Sequence, residues 1–83
     1  MATVDKEDLR RRIAATLDVD PTEVTDQADF REDLEVDSLM ALEVMVVLER
    51  TYGVKLDESL LGEITSLDRA HAMLEERVAG ASR

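Results

Sequence analysis

Ser38 lies between Asp37 and Leu39, where an acidic stretch gives way to a long apolar run: Asp33-Leu34-Glu35-Val36-Asp37-Ser38-Leu39-Met40-Ala41-Leu42-Glu43-Val44-Met45. A serine at this point stands at a helix start, where Asp and Ser are the natural caps and several backbone N–H groups lack partners. Those N–H groups and the positive end of the helix dipole favour a phosphate attached to the hydroxyl. Other chemistry is scarce. The chain has no cysteine, so no disulfide, thiolate metal site or redox pair is expected. Its sole histidine, His71, follows Leu67 by one turn on the apolar face of the last helix and reads as a packed residue, not a base. No Gly-x-Ser-x-Gly turn surrounds Ser38, so a hydrolase pair of Ser38 and His71 is disfavoured. Asp18-x-Asp20 opens like a calcium loop, but Pro21 interrupts it and Glu23 stands where the turn needs glycine. Neither a catalytic residue nor a metal site is expected.

The elements that must position Ser38 follow from periodicity. Leu9, Ile13 and Leu17 recur every fourth residue, giving a helix over about 4–17. Asp5, Glu7 and Asp8 fall in its first turn and Arg10, Arg11 and Arg12 follow, an order that suits the dipole and reads as a solvated, self-pairing face. Residues 18–36 form a long ordered loop broken at Pro21, with Val24, Phe30 and Leu34 spaced to enter the core singly. The second helix, about 38–52, carries Ala41, Val44, Met45, Leu48 and Tyr52 as one stripe. Leu39, Leu42 and Val46 make a second stripe beside Ser38, expected to be a partly exposed partner surface. Gly53 ends this helix, a short helical piece covers 58–63, and a last helix runs about 66–78. In that last helix Thr65 and Asp68 have capping-box spacing, and Leu67, Ala70, Leu74 and Val78 face inward. No strand pattern competes. The expected fold is an all-α bundle of three main helices plus one short one with a long first loop. It forms a single domain over 1–83, with a core of about 4–78 and a flexible tail at 79–83.

Composition narrows the partners. Twenty acidic against ten basic residues give a net charge of −10, which argues against nucleic acid and anionic membrane and for partners with basic patches. Apolar residues make up 45% of the chain but Phe30 and Tyr52 are its only aromatics, so the core must be aliphatic. No charged-then-apolar leader opens the chain and no apolar stretch approaches the ~20 residues a membrane span needs. A soluble, monomeric, cytoplasmic protein is the expectation.

Asp33-Leu34-x-x-Asp37-Ser38-Leu39 resembles the motif of acyl carrier proteins, and the likeness extends over about residues 5–78. The first helix, the Pro21 loop, Phe30, the Ser38 helix, the Gly53 break, the short third helix and the Thr65-Ser66 start of the last helix occur in the family's order and spacing. The resemblance implies a swinging arm. A phosphopantetheinyl transferase moves 4′-phosphopantetheine from coenzyme A onto Ser38, and acyl groups then ride on the arm's thiol as thioesters. The carrier presents this cargo to acyltransferase, ligase, ketosynthase or similar enzymes without itself catalysing a step. Asp37 would orient the transferase and its metal, or simply cap the helix. Leu39, Met40, Leu42, Glu43, Val46, Glu49, Leu60 and Leu61 are the expected partner face.

The sequence departs from the family pattern at Glu35, where glycine is usual. A positive φ there would strain the glutamate, and its charge bears on which transferase or partner reads the loop. Met40, where an acidic or polar residue is frequent in fatty-acid carriers, and the apolar Leu60 and Leu61 resemble discrete carriers of polyketide or related specialised metabolism. A discrete aminoacyl or peptidyl carrier is the alternative within the same chemistry, although the Gly-Gly-His-Ser-type motif of peptidyl carriers is missing. An acidic helical adaptor without a prosthetic group is the alternative of a different class.

Overall fold

The computed structural model describes residues 4–81. Among these residues there are three α-helices, α1 (Lys6–Leu17), α2 (Ser38–Tyr52) and α3 (Leu67–Ala81), with 3-10 turns at Pro21–Glu23 and Glu58–Glu63. No strand occurs among the described residues. This is the expected all-α bundle, with the short third piece wound as 3-10 helix and a single helical turn inside the long first loop. Asp5 caps α1 by accepting the N–H groups of Glu7 and Asp8, and Asp18 closes it in the left-handed conformation, φ 58°. Gly53, φ 65°, closes α2 with its N–H on the Glu49 carbonyl. The core is aliphatic: Leu9, Ile13, Leu48, Leu67 and Leu74 are fully buried, joined by Val24, Val44 and Met45. No helix among the described residues is long and apolar enough to cross a membrane.

The long loop is stitched rather than slack. Asp20 and Glu23 form a reciprocal capping box around Pro21. Val24 and Phe30 enter the core as expected, Leu34 is half-buried, and Val36, which periodicity did not single out, is buried as well. The Phe30 N–H donates to the Thr65 carbonyl at 2.9 Å, and the Asp68 N–H donates to the Asp26 carbonyl at 3.1 Å. Two backbone bonds thus dock the loop on the entry to α3. Ser66, not Thr65, caps that helix, its Oγ accepting the Arg69 N–H at 3.2 Å. Residues 79–81, expected within a loose tail, continue α3, while Ser82 and Arg83 lie outside the described residues.

Two expectations are corrected by packing. Arg10 is not part of a purely solvated face: it reaches Glu7 at 2.9 Å, Asp26 at 2.6 Å and the Val24 carbonyl, so it clamps the loop to α1. Lys6 adds a second bridge, to Asp26 at 3.3 Å and to Asp68 on α3. The hydrogen bond from Arg10, followed by that from Lys6, holds the Asp26 carboxyl below its ordinary value against the opposing desolvation. A depressed carboxyl stabilises the fold above the ordinary aspartate range, and its contribution fades as pH falls through that range and below. Asp26→Asn should therefore melt slightly below the parent at neutral pH, with the gap closing on acidification. Melting curves across that range decide it, and a gap that does not change with pH would deny the ionised clamp any part in stability. The second correction is Leu60, expected on a partner face. It is 7% exposed and belongs to the core, because the 3-10 turn points it inward.

Candidate functional site

Ser38 is the first residue of α2 and is exposed. Asp37 is the N-cap, and its Oδ1 accepts the Met40 N–H at 2.9 Å. Because the aspartate does the capping, the Ser38 hydroxyl makes no hydrogen bond within the fold. The first amides of α2, those of Ser38 and Leu39, have no intrahelical acceptor and point toward the same end. They form an electropositive rim around a free hydroxyl, the setting that suits an attached phosphodiester. His71 is engaged elsewhere, donating from Nε2 to the Val4 carbonyl at 2.7 Å with Glu75 at 3.7 Å from Nδ1. Ser38 therefore has the features of an attachment point and lacks the base a hydrolytic nucleophile needs.

A cleft of about 170 Å3 adjoins Ser38, walled by Phe30, Val36, Ala41, Leu61 and Ile64. Its size is comparable to the apolar cavity of about 150 Å3 that accepts benzene in an engineered protein. Arg31 and Thr65 stand on its lining with Asp37 and supply the polar edge. Neither Arg31 nor Thr65 was legible as a site residue. A charge in a loop and a threonine before a helix carry no periodic signal, and only the docking of the loop on α3 brings them beside Ser38.

The remaining expected site residues divide into two groups. Leu39 is 65% exposed and Val46 40%, Glu43 is exposed, and Leu42 is half-buried. Leu42, Glu43 and Val46 share a shallow apolar depression with Thr16 and Val47. Met40 and Leu61 are half-buried against the core, Leu61 on the cleft wall. Glu49 lies apart from this group in its bonding: its carboxylate accepts the Leu56 N–H at 3.1 Å and so fastens the turn after α2.

Glu35 has φ 54°, the left-handed region in which a glutamate is strained. For a long side chain without a local hydrogen bond this costs on the order of 1–2 kcal/mol.

An exposed serine without a hydrogen bond of its own, at the start of a helix in a small helical bundle, is the arrangement a carrier of a covalent group would need. A model of the phosphopantetheine attachment site family matches residues 7–73. Polyketide-8 synthase acyl carrier protein 2 of Streptomyces avermitilis is 55% identical over 75 residues, spanning 90% of this chain and 86% of that protein. The acyl carrier protein of Rubrobacter xylanophilus is 38% identical over 71 residues, 81% of this chain and 88% of that protein. Polyketide-8 synthase acyl carrier protein 1 of S. avermitilis is 31% identical over 71 residues, 86% of this chain and 84% of that protein. The chain belongs to the acyl carrier proteins of the phosphopantetheine attachment family. Its cofactor is 4′-phosphopantetheine, and it holds acyl groups on that arm as a non-catalytic carrier.

Proposed function

We propose that Ser38 is the attachment residue and that the carrier serves a bacterial polyketide or related specialised pathway in the cytoplasm. The observation that carries the first part is the division of labour at the helix start: Asp37 caps, and the Ser38 hydroxyl is left free. In the loading step the Ser38 oxygen bonds to the pantetheine-bearing phosphorus of coenzyme A. The phosphoanhydride bond breaks, adenosine 3′,5′-bisphosphate leaves, and the hydroxyl proton passes to solvent or to a base of the transferase. The amides of Ser38 and Leu39, which have no acceptor within the helix, would hold the phosphodiester. When bound, the arm supplies the thiol that this cysteine-free chain lacks. The cleft bounded by Phe30, Val36 and Leu61 gives the arm or a short cargo an apolar wall to rest on.

The pathway reading draws on the 55% identical relative, whose name places it in a polyketide synthase. Incubation with coenzyme A and a promiscuous phosphopantetheinyl transferase, followed by intact mass measurement, tests the attachment. A gain of one phosphopantetheinyl group is expected, and an unchanged mass would refute it.

Partners are enzymes that act on the arm, among them the transferase and acyltransferase, ligase or ketosynthase components. Leu39, Met40, Leu42 and Val46 supply apolar contact and Glu43 a charge for basic patches. Val46→Ala is expected to slow cargo transfer to such an enzyme while costing well under the ~2–5 kcal/mol of a buried aliphatic truncation. Transfer kinetics and melting curves measured together check this. A large melting shift with unaltered transfer would assign Val46 to the core.

A further inference from the structure

We propose that Arg31 holds the phosphodiester of the attached arm and so lays the root of the arm along the cleft beside Ser38. The inference rests on Ser38 being the attachment residue. The cleft lining includes Ser38 itself and one basic side chain, that of Arg31. Its one acidic member, Asp37, is committed to the Met40 amide. Arg31 is exposed, and its guanidinium makes no hydrogen bond or ion pair among the described residues. Lys6, Arg10, Arg11 and Arg12 each pair with a carboxylate of the fold. Arg50, Lys55, Arg69 and Arg77 are unpaired like Arg31, but none of them lines this cleft.

The charge around the serine gives the guanidinium its task. Residues 29–37 hold Asp29, Glu32, Asp33, Glu35 and Asp37 against Arg31 alone. Three of these carboxylates are turned to backbone amides: Asp29 accepts from Arg31 and Glu32, Asp33 from Asp29, and Asp37 from Met40. A phosphodiester on Ser38 adds a further anion to this segment, on the wall that Arg31 shares. Repulsion by the carboxylates and attraction to the guanidinium then act in the same direction. The planar guanidinium can donate two parallel N–H groups to phosphate oxygens, a geometry that an ammonium does not reproduce. Tethering removes the cost of bringing the partners together, because the phosphate is already fixed beside the cation. The backbone that carries Arg31 is fixed as well, by its own N–H on Asp29 and by the Phe30 N–H on the Thr65 carbonyl. Held in this way, the root of the arm lies against Phe30, Val36 and Leu61. Arg31 takes no part in chemistry at the thiol.

The test compares loaded and unloaded forms of the parent, Arg31→Lys and Arg31→Gln. Each is converted fully with coenzyme A and transferase, checked by intact mass, and melted beside its unloaded form at about 0.01 M and about 1 M salt. At low salt, loading is expected to shift Tm upward by about 2–6 °C more in the parent than in Arg31→Gln. Arg31→Lys should fall between them, and the gap should close at high salt. The phosphorus NMR resonance of the loaded parent should also differ from that of loaded Arg31→Gln. Equal loading shifts in parent and Arg31→Gln overturn the proposal, as does a phosphorus resonance that the substitution leaves unmoved. A gap that appears only after a carboxylate-bearing acyl group is placed on the thiol overturns it too, since Arg31 would then read the cargo. A parent chain that gains no arm refutes Ser38 as the attachment residue, a failure seen in the mass before any melting is measured.

Discussion

Replacement of Ser38 by alanine is expected to abolish loading completely while leaving the fold intact. Incubated with coenzyme A and transferase, Ser38→Ala should show no added phosphopantetheinyl group by intact mass where the parent is fully converted. The size of the effect follows from the proposed chemistry, in which the oxygen removed is the atom that bonds to phosphorus. The structure adds why stability should be spared. Asp37 satisfies the Met40 amide, so the Ser38 hydroxyl holds no helix end together, and alanine is a better helix former than serine. Melting within about 0.5 kcal/mol of the parent is expected, the range of surface substitutions away from structural features. A retained mass gain in Ser38→Ala would place the arm elsewhere. An intact-mass loss accompanied by unfolding would mean that the hydroxyl had a structural role that the geometry does not show. Asp37→Ala provides the complement, since it should lower stability by about 0.5–2 kcal/mol through the lost cap.

The largest expected loss of stability is at Phe30. It is 2% exposed, its N–H docks the loop on Thr65, its carbonyl accepts the Val36 N–H at 2.8 Å, and its ring walls the cleft beside Ser38. Phe30→Ala should cost about 3–5 kcal/mol, the usual range for truncating a buried aromatic. A chain of this length is expected to have only about 4–12 kcal/mol in total, so the variant should be close to unfolding at room temperature. Each kcal/mol corresponds to roughly 4–8 °C in a domain this small, which puts the expected fall in Tm well above 10 °C. Phe30→Leu, which keeps most of the volume and all of the hydrophobicity, should lose less than about 1.5 kcal/mol. Calorimetry on both variants checks the pair. A fall below about 1 kcal/mol for Phe30→Ala would mean that the loop collapses onto the vacated space and that the cleft is not a fixed feature.

The elements near Ser38 were legible because local rules govern them. A fourfold apolar repeat marks α1, a double stripe beginning at Ser38 marks α2, and Gly53 marks its end; each coincides with the observed helix to within a residue or two. The motif itself is a contiguous string, so Ser38 and Asp37 could be singled out without knowledge of anything distant. Asp37 could be read as a cap or as an orienting group, and its bond to the Met40 amide shows that it caps the helix. Residues whose role depends on contacts across the chain were harder. Leu60 and Leu61 are adjacent and alike, yet one is core and the other lines the cleft, a difference set by the phase of a 3-10 turn that hydrophobicity does not report. Glu49 looked like a surface charge until the chain folded back and presented the Leu56 amide to it.

By itself the sequence determined the helices, the site of the free serine and the acid-rich surface, because turn chemistry, apolar period and charge act over a few neighbouring residues. Tertiary structure decided the rest: that Arg10 and Lys6 bolt the first loop to α1 and α3, that Arg31 and Thr65 border the cleft, and that Glu35 is held at positive φ. Each of these depends on where a twenty-residue loop lands, which is fixed by long-range burial of Val24, Phe30 and Val36 and not by any pattern within the loop.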